Sequence, residues 1–112
     1  MIFYSFKAGV SPDGLKMPLR SKLQDIGALY HKLTYQIMRI TSTTDGKHMD
    51  GSKHYNGDAI DVGIRSSATW QFFPLALQQT LVKEISTLLG PDYDVVLEGD
   101  HVHIEYDPEV ST

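Results

Sequence analysis

The chain has no cysteine among its 112 residues. Disulfides and thiolate metal sites are therefore excluded, and any metal ion must be held by nitrogen and oxygen atoms. The sequence also lacks an excess of basic residues, since 10 Lys and Arg stand against 14 Asp and Glu, and the basic residues are scattered. Because a phosphate-binding surface requires clustered Lys and Arg, we expect no nucleic-acid partner.

Long apolar runs are absent as well. No segment approaches the roughly 18 uninterrupted apolar residues of a membrane span, so no membrane partner is predicted. Residues 1–6 are too short, and too poor in preceding basic residues, to act as a signal peptide, which predicts cytoplasmic synthesis. No repeat or shift in composition divides the sequence, so residues 1–112 are expected to form a single domain. Nothing in the sequence indicates an oligomeric state.

Two stretches carry the apolar period of an amphipathic helix. The first begins at Pro18, and its apolar stripe extends to Ile37. The second covers about residues 74–89 and ends at Gly90-Pro91, a typical helix-ending pair. Three aromatic residues just before the second helix are expected to pack in the core or as a hydrophobic staple at the helix entry, and part of the cluster could wall a cleft: Trp70, Phe72 and Phe73.

Four shorter segments are rich in strand-forming residues. Residues 37–42 and 59–64 predict single strands, and the second of these alternates cleanly between apolar and other residues. Residues 93–98 and 101–106 predict a hairpin, with Gly99-Asp100 as its turn. Short connections between strands, mixed with helices, predict an α+β domain with a mainly antiparallel sheet and its helices on one face.

Polar side chains share the other face of the predicted sheet. Strand alternation directs Asp61, His101 and His103 to the face that the helices leave uncovered. The loop carrying His54 can fold over that face. The polar side of the sheet is therefore predicted to be the floor of a cleft.

These side chains match the chemistry of a catalytic zinc ion. Such an ion is held by three ligands drawn from His, Asp and Glu, and it lowers the pKa of a bound water to roughly 7. A nearby carboxylate must accept the water's proton and deliver it to the leaving group, a role open to Asp100 or Glu98. Zn²⁺ is the expected cofactor, and other divalent ions fit the same donors. The candidate ligands are His54, Asp61 and His103.

Two motifs resemble those of a known enzyme family. The run Ser52-x-His54-x-x-Gly57-x-Ala59-x-Asp61 resembles the SxHxxGxAxD signature of the zinc D-Ala-D-Ala carboxypeptidases and L-Ala-D-Glu endopeptidases of peptidase family M15. The later Asp100-His101-Val102-His103 resembles the family's second motif, an acidic residue three positions before the last metal-binding histidine. The resemblance covers about residues 37–106 and implies the hedgehog/DD-peptidase fold, with the metal site on the open sheet face.

The resemblance also implies a role for each motif residue. The implied zinc ligands are His54, Asp61 and His103. Asp100 would be the general base, His101 would support the ligands or the transition state, and Ser52 would support the site by a hydrogen bond. Glu98, which stands five positions before the last ligand, is the alternative base.

One departure from the family concerns substrate binding. Many members carry an arginine soon after the strand that precedes the first motif, where it can hold a substrate carboxylate or the developing oxyanion. Residues 41–48 of this chain contain no arginine. The candidate substitutes are Lys47, His48 and Arg39, although a lysine offers a point charge rather than a bidentate fork.

The function implied by the resemblance is hydrolysis of an amide bond in the peptide stem of peptidoglycan, with zinc-bound water as nucleophile. A small domain without a wall-binding module suits a phage-encoded lysis or virion enzyme that acts on the cell wall after release, or a small bacterial wall hydrolase. The alternatives are a non-catalytic zinc-binding interaction domain of the same fold and a metallopeptidase for another small peptide. The presence of Asp100 and Glu98 favours the enzyme, and the sequence leaves open which stem bond is cut.

Overall fold

A computed structural model of the protein describes residues 1–43 and 57–108. The strands are β1 (Tyr4–Phe6), β2 (Met38–Ser42), β3 (Ala59–Gly63), β4 (Tyr93–Glu98) and β5 (His101–Tyr106). The helices are α1 (Met17–Arg20), α2 (Leu23–Thr34) and α3 (Leu75–Leu89). The strands form one sheet in the order β1-β2-β3-β5-β4.

The sheet is mixed, and the predicted α+β class is confirmed. The pairs β2–β3, β3–β5 and β4–β5 are antiparallel, in agreement with the predicted mainly antiparallel sheet, but β1 lies parallel to β2. The sequence did not predict β1, because three residues are too few to display a strand period. The hairpin of β4 and β5 has the predicted bounds.

The first helical stripe is divided between two helices, so the prediction of one continuous helix is wrong. The chain leaves the helix at Ser21 and re-enters it after Lys22. The apolar period continues through this break because Leu19 and Leu23, on its two sides, both point into the core. The helix then ends before Ile37, which is exposed.

The second helix is confirmed, with one change in its buried face. The apolar period predicts that Leu77, Leu81, Ile85 and Leu88 face the core, but Leu88 is exposed and Leu89 is buried in its place, next to the helix end at Gly90. Of the aromatic cluster before this helix, only Phe73 is buried, so the prediction of a core position is wrong for Trp70 and Phe72. Trp70 instead lines a cleft together with Asp61, which was the alternative predicted for part of the cluster.

Within the described residues, no helix is both long and apolar enough to cross a membrane.

The core lies between the helices and one face of the sheet. Each fully buried aliphatic side chain there contributes roughly 1.5 to 3 kcal/mol relative to exposure. The outward residues of the same strands lie on the opposite face, which carries the candidate site. The fully buried aliphatic side chains are Leu19, Ile26, Met38, Ile40, Ile60, Val62, Ile64, Leu81, Ile85, Val102 and Ile104.

Gly57 fixes the approach to β3. Its φ of +78° favours glycine, and a Cβ atom at this position would lie 2.1 Å from the carbonyl oxygen of Gly14. The Lys16 N–H also donates to the Gly57 carbonyl at 2.9 Å. The motif glycine is therefore required both by its backbone conformation and by close packing, and it sets the entry to the strand that carries Asp61.

Candidate metal centre

Two of the predicted ligands meet on the open face of the sheet. Asp61 of β3 and His103 of β5 are directly opposite in the antiparallel register. Asp61 Oδ1 lies 3.0 Å from His103 Nδ1, and both side chains are mostly buried. Residues that are 42 positions apart in the chain are thus brought into contact by one strand pairing.

The second ring nitrogen of His103 also faces a carboxylate. His103 Nε2 lies 2.7 Å from Glu105 Oε1, because residues two apart on a strand share a face. A histidine that binds a metal through one nitrogen almost always donates its other N–H to such a partner, which fixes the ring. Alternation along β5 indicates which face Glu105 lies on, but no role for it follows from the sequence, and only the side-chain contact reveals one.

His101 connects the turn to the ligand pair. Its Nδ1 donates to Asp100 Oδ1 at 2.8 Å, and its Nε2 lies 3.5 Å from Asp61 Oδ1. The hydrogen bond from His101, more than the charge of Arg65, holds the pKa of Asp100 below its usual value. Asp100 is exposed and is a carboxylate at neutral pH, as a general base must be.

Glu98, the alternative base, belongs to the same cluster. It ends β4 opposite His101, and its Oε1 lies 3.8 Å from both His101 Nε2 and His103 Nδ1. Glu98 therefore approaches the ring of His103 itself, whereas Asp100 reaches the cluster through its hydrogen bond with His101. Geometry keeps both carboxylates as candidates.

The separation of the two described ligands suits a metal ion. Bonds of about 2.0 to 2.2 Å in a tetrahedral zinc site place neighbouring donor atoms roughly 3.3 Å apart. The 3.0 Å between Asp61 Oδ1 and His103 Nδ1 needs to widen by only a few tenths of an ångström. Within residues 1–43 and 57–108, no three His, Cys, Asp or Glu side chains are arranged to hold an ion. The predicted ligand His54 lies outside the described residues.

The remaining predicted residues divide into two groups. Arg39 lies on β2 and lines a cleft of about 380 Å³ together with Asp61, Asp100 and His101. Arg65 also lines this cleft and was not predicted from the sequence. Three further predictions fall outside the described residues: Lys47, His48 and Ser52.

His103 should make the stability of the metal-free protein depend on pH. The hydrogen bond to Asp61 outweighs the opposing effect of burial and, with Glu105, raises the pKa of His103 from 6.5 to about 9. Because the folded-state pKa is the higher one, the charged ring stabilises the fold fully below about pH 6.5, and this contribution is lost as pH rises through about 9. We expect the loss to be on the order of 3 kcal/mol, at about 1.4 kcal/mol for each pKa unit.

Urea unfolding of chelator-treated protein between pH 6 and 10 would measure this loss. In His103→Gln, the free energy of unfolding should no longer fall by this amount between pH 6 and pH 10. His31→Gln, on the flank of α2, is the matched control and should retain it. A pH dependence that is the same in wild type and His103→Gln would contradict the assignment.

Comparisons of the chain with protein-family models, with curated proteins and with solved structures find no match. The grounds for a functional assignment are therefore the two sequence motifs and the geometry of the residues they bring together.

Proposed function

We propose that the protein is a zinc-dependent peptidase that hydrolyses an amide bond in the peptide stem of peptidoglycan, with a hedgehog/DD-peptidase-like fold. One observation carries this proposal. Asp61 and His103, the last residues of two separate motifs, meet at 3.0 Å on the open sheet face. Asp100 and His101 border the same cleft as Asp61, which supports a reaction there rather than zinc binding alone.

Each residue of the cluster has a distinct part in the proposed reaction. Zinc, held by His54, Asp61 and His103, would supply an activated water and polarise the scissile carbonyl. Asp100 accepts the proton of the attacking water and returns it to the leaving amine. His101 holds the Asp100 carboxylate at 2.8 Å.

The contacts around Asp100 favour an enzyme over a non-catalytic zinc-binding domain. A domain that only binds zinc has no need of a carboxylate at the cleft beside its ligands. Asp100 lines the cleft, and its hydrogen bond to His101 orients it without burying it. A phage lysis enzyme that acts on the wall after release, or a small bacterial wall hydrolase, would have this activity.

The proposal predicts metal-dependent cleavage of purified peptidoglycan. The zinc-loaded protein should release stem-peptide fragments, and mass spectrometry of the fragments would identify the bond that is cut. Removal of the metal by a chelator should abolish release, and added zinc should restore it. A protein that binds zinc stoichiometrically and yet cleaves neither peptidoglycan nor synthetic stem peptides would instead support the interaction domain.

A further inference from the structure

One end of the cleft is cationic and aromatic. The guanidinium carbon of Arg39 lies 5.0 Å from the centre of the Trp70 ring, and that of Arg65 lies 5.8 Å from it. Arg65 also lies over the ring of Phe72, at 3.8 Å. Two of the three arginines in the chain are therefore held against one exposed tryptophan.

The sheet places these arginines on the same face as the candidate metal centre. Asp61, Gly63 and Arg65 alternate with the buried Val62 and Ile64, so they point to one side of the sheet. Four residues of strand separate the Cα atoms of Asp61 and Arg65 by about 13 Å. The cleft therefore extends along β3 from the carboxylate cluster to the arginines.

Gly63 adds no side chain to the part of the cleft between Asp61 and Arg65. It lines the cleft opposite His101 in the register of β3 and β5. The atoms nearest to a Cβ built here belong to Thr41 and Arg39, at 3.6 Å or more, so packing does not require glycine at this position. The missing side chain leaves space for an extended ligand between Asp61 and Arg65.

The turn that carries Trp70 is held in an unusual conformation. Trp70 has a φ of +60°, which costs free energy for any residue with a side chain. The turn is closed by hydrogen bonds from Trp70 N–H to Ser66 O and from Arg65 Nη1 to Trp70 O, at 2.8 and 2.7 Å. This conformation keeps the indole ring beside the arginines instead of in the core.

Stacking orients the guanidinium groups for an anion. A guanidinium group that rests over a ring keeps N–H donors at its edge. Apart from the Arg65 Nη1 bond to Trp70 O, these donors can form the fork that matches a carboxylate. Within the described residues, neither Arg39 nor Arg65 forms an ion pair with a carboxylate of the protein. Lys7 lines the same cleft and adds to its positive charge.

We propose that Arg39 and Arg65, braced on Trp70, form a subsite that binds the terminal carboxylate of a peptide lying in the cleft. The inference rests on the proposed function and decides between its two forms, carboxypeptidase and endopeptidase. A carboxylate held at this end places the scissile amide toward Asp61, a short distance before the end of the substrate. The protein is then a carboxypeptidase that removes a short C-terminal piece, not an endopeptidase.

Trp70 is the only tryptophan in the chain, so its fluorescence reports binding at this subsite directly. The probe is an N-acetylated stem peptide ending in D-Ala-D-Ala, compared with its C-terminal amide, in both zinc-loaded and metal-free protein. We expect the acid to change the emission of Trp70 and to bind at least about tenfold more tightly than the amide, as for a hydrogen bond between charged groups. Arg39→Gln and Arg65→Gln should each remove most of that preference.

Matched variants separate recognition from folding. Arg20→Gln, at the end of α1 and outside the cleft, should bind the acid as the wild type does. Because Arg65 also donates to Trp70 O, its replacement can disturb the turn, and circular dichroism and thermal melting serve as checks. Arg65→Lys keeps the charge without the fork and should bind with intermediate affinity.

Three results would overturn the subsite. The wild type could bind the peptide acid and its C-terminal amide with equal affinity, or Arg39→Gln could bind the acid as tightly as the wild type does. A peptide with an amidated C-terminus and a side-chain carboxylate could also bind as tightly as the acid, which would show that the terminal carboxylate is not the group recognised. Acid-selective binding without cleavage after zinc loading would retain the subsite and remove the proposed peptidase activity. Cleavage of acid and amide at equal rates, unaffected by the arginine variants, would retain the peptidase and remove the subsite.

Discussion

Replacing Asp61 with alanine is expected to abolish both tight zinc binding and peptidoglycan cleavage. Its Oδ1 lies 3.0 Å from His103 Nδ1 and 3.5 Å from His101 Nε2, so it is the central oxygen donor of the cluster. Loss of a residue that only hydrogen-bonds to a metal ligand typically lowers metal affinity by about 10- to 100-fold. Loss of a ligand itself should lower it further. Competition with a chromogenic chelator would measure the affinity, and release of wall fragments would measure the activity.

Asp58→Ala is the control for this experiment. Asp58 is about as shielded as Asp61 and lies just before β3, but it is paired with Lys16 at 4.0 Å, away from the cluster. We expect this variant to bind zinc as the wild type does. If Asp61→Ala kept wild-type zinc affinity while remaining folded, the candidate metal centre would be wrong, and with it the proposed function.

Asp100→Asn is expected to retain zinc and to lose about 10²- to 10⁴-fold in kcat, the usual contribution of a general base. Asparagine has nearly the same shape and can still contact His101, but it cannot accept a proton from water. The exposed position of Asp100 in the β4–β5 turn also makes the substitution mild for folding. Steady-state kinetics on a synthetic stem peptide, with zinc content measured on the same samples, would separate catalysis from metal binding.

Glu98→Gln is the matched variant because Glu98 is the alternative candidate for the base and lies 3.8 Å from both histidines. We expect it to keep zinc and most of the activity, since Glu98 does not line the cleft that Asp100 borders. An inactive Glu98→Gln with an active Asp100→Asn would transfer the role of base to Glu98, whose Oε1 is 3.8 Å from His103 Nδ1. Full activity in both variants would contradict hydrolysis assisted by either carboxylate.

The substrate-binding cations show where local sequence patterns stop being informative. The family resemblance points to residues 41–48, which contain no arginine, and then to Arg39 on the preceding strand. It does not point to Arg65, although Arg65 follows Asp61 by four residues and therefore shares its face. Its contact with Trp70 depends on a turn with a left-handed residue, which no apolar period indicates.

The sequence by itself determined the hairpin, the strand faces and the residue types of the candidate site, because period-two alternation and glycine-containing turns are local properties. The sequence alone was sufficient to assign Asp61, His101 and His103 to one face of the sheet. Their distances could not, since these depend on the register between β3 and β5.

Only the tertiary structure decided the features that arise from contacts between distant segments. These include the break between α1 and α2, the parallel pairing of β1 with β2, and the hydrogen bond between His103 and Glu105. They also include the exposure of Trp70 beside two arginines. The sequence alone is enough to exclude thiolate chemistry, because the chain has no cysteine. The pairing of imidazoles with carboxylates is visible only in the folded sheet, because it joins residues that are far apart in the chain.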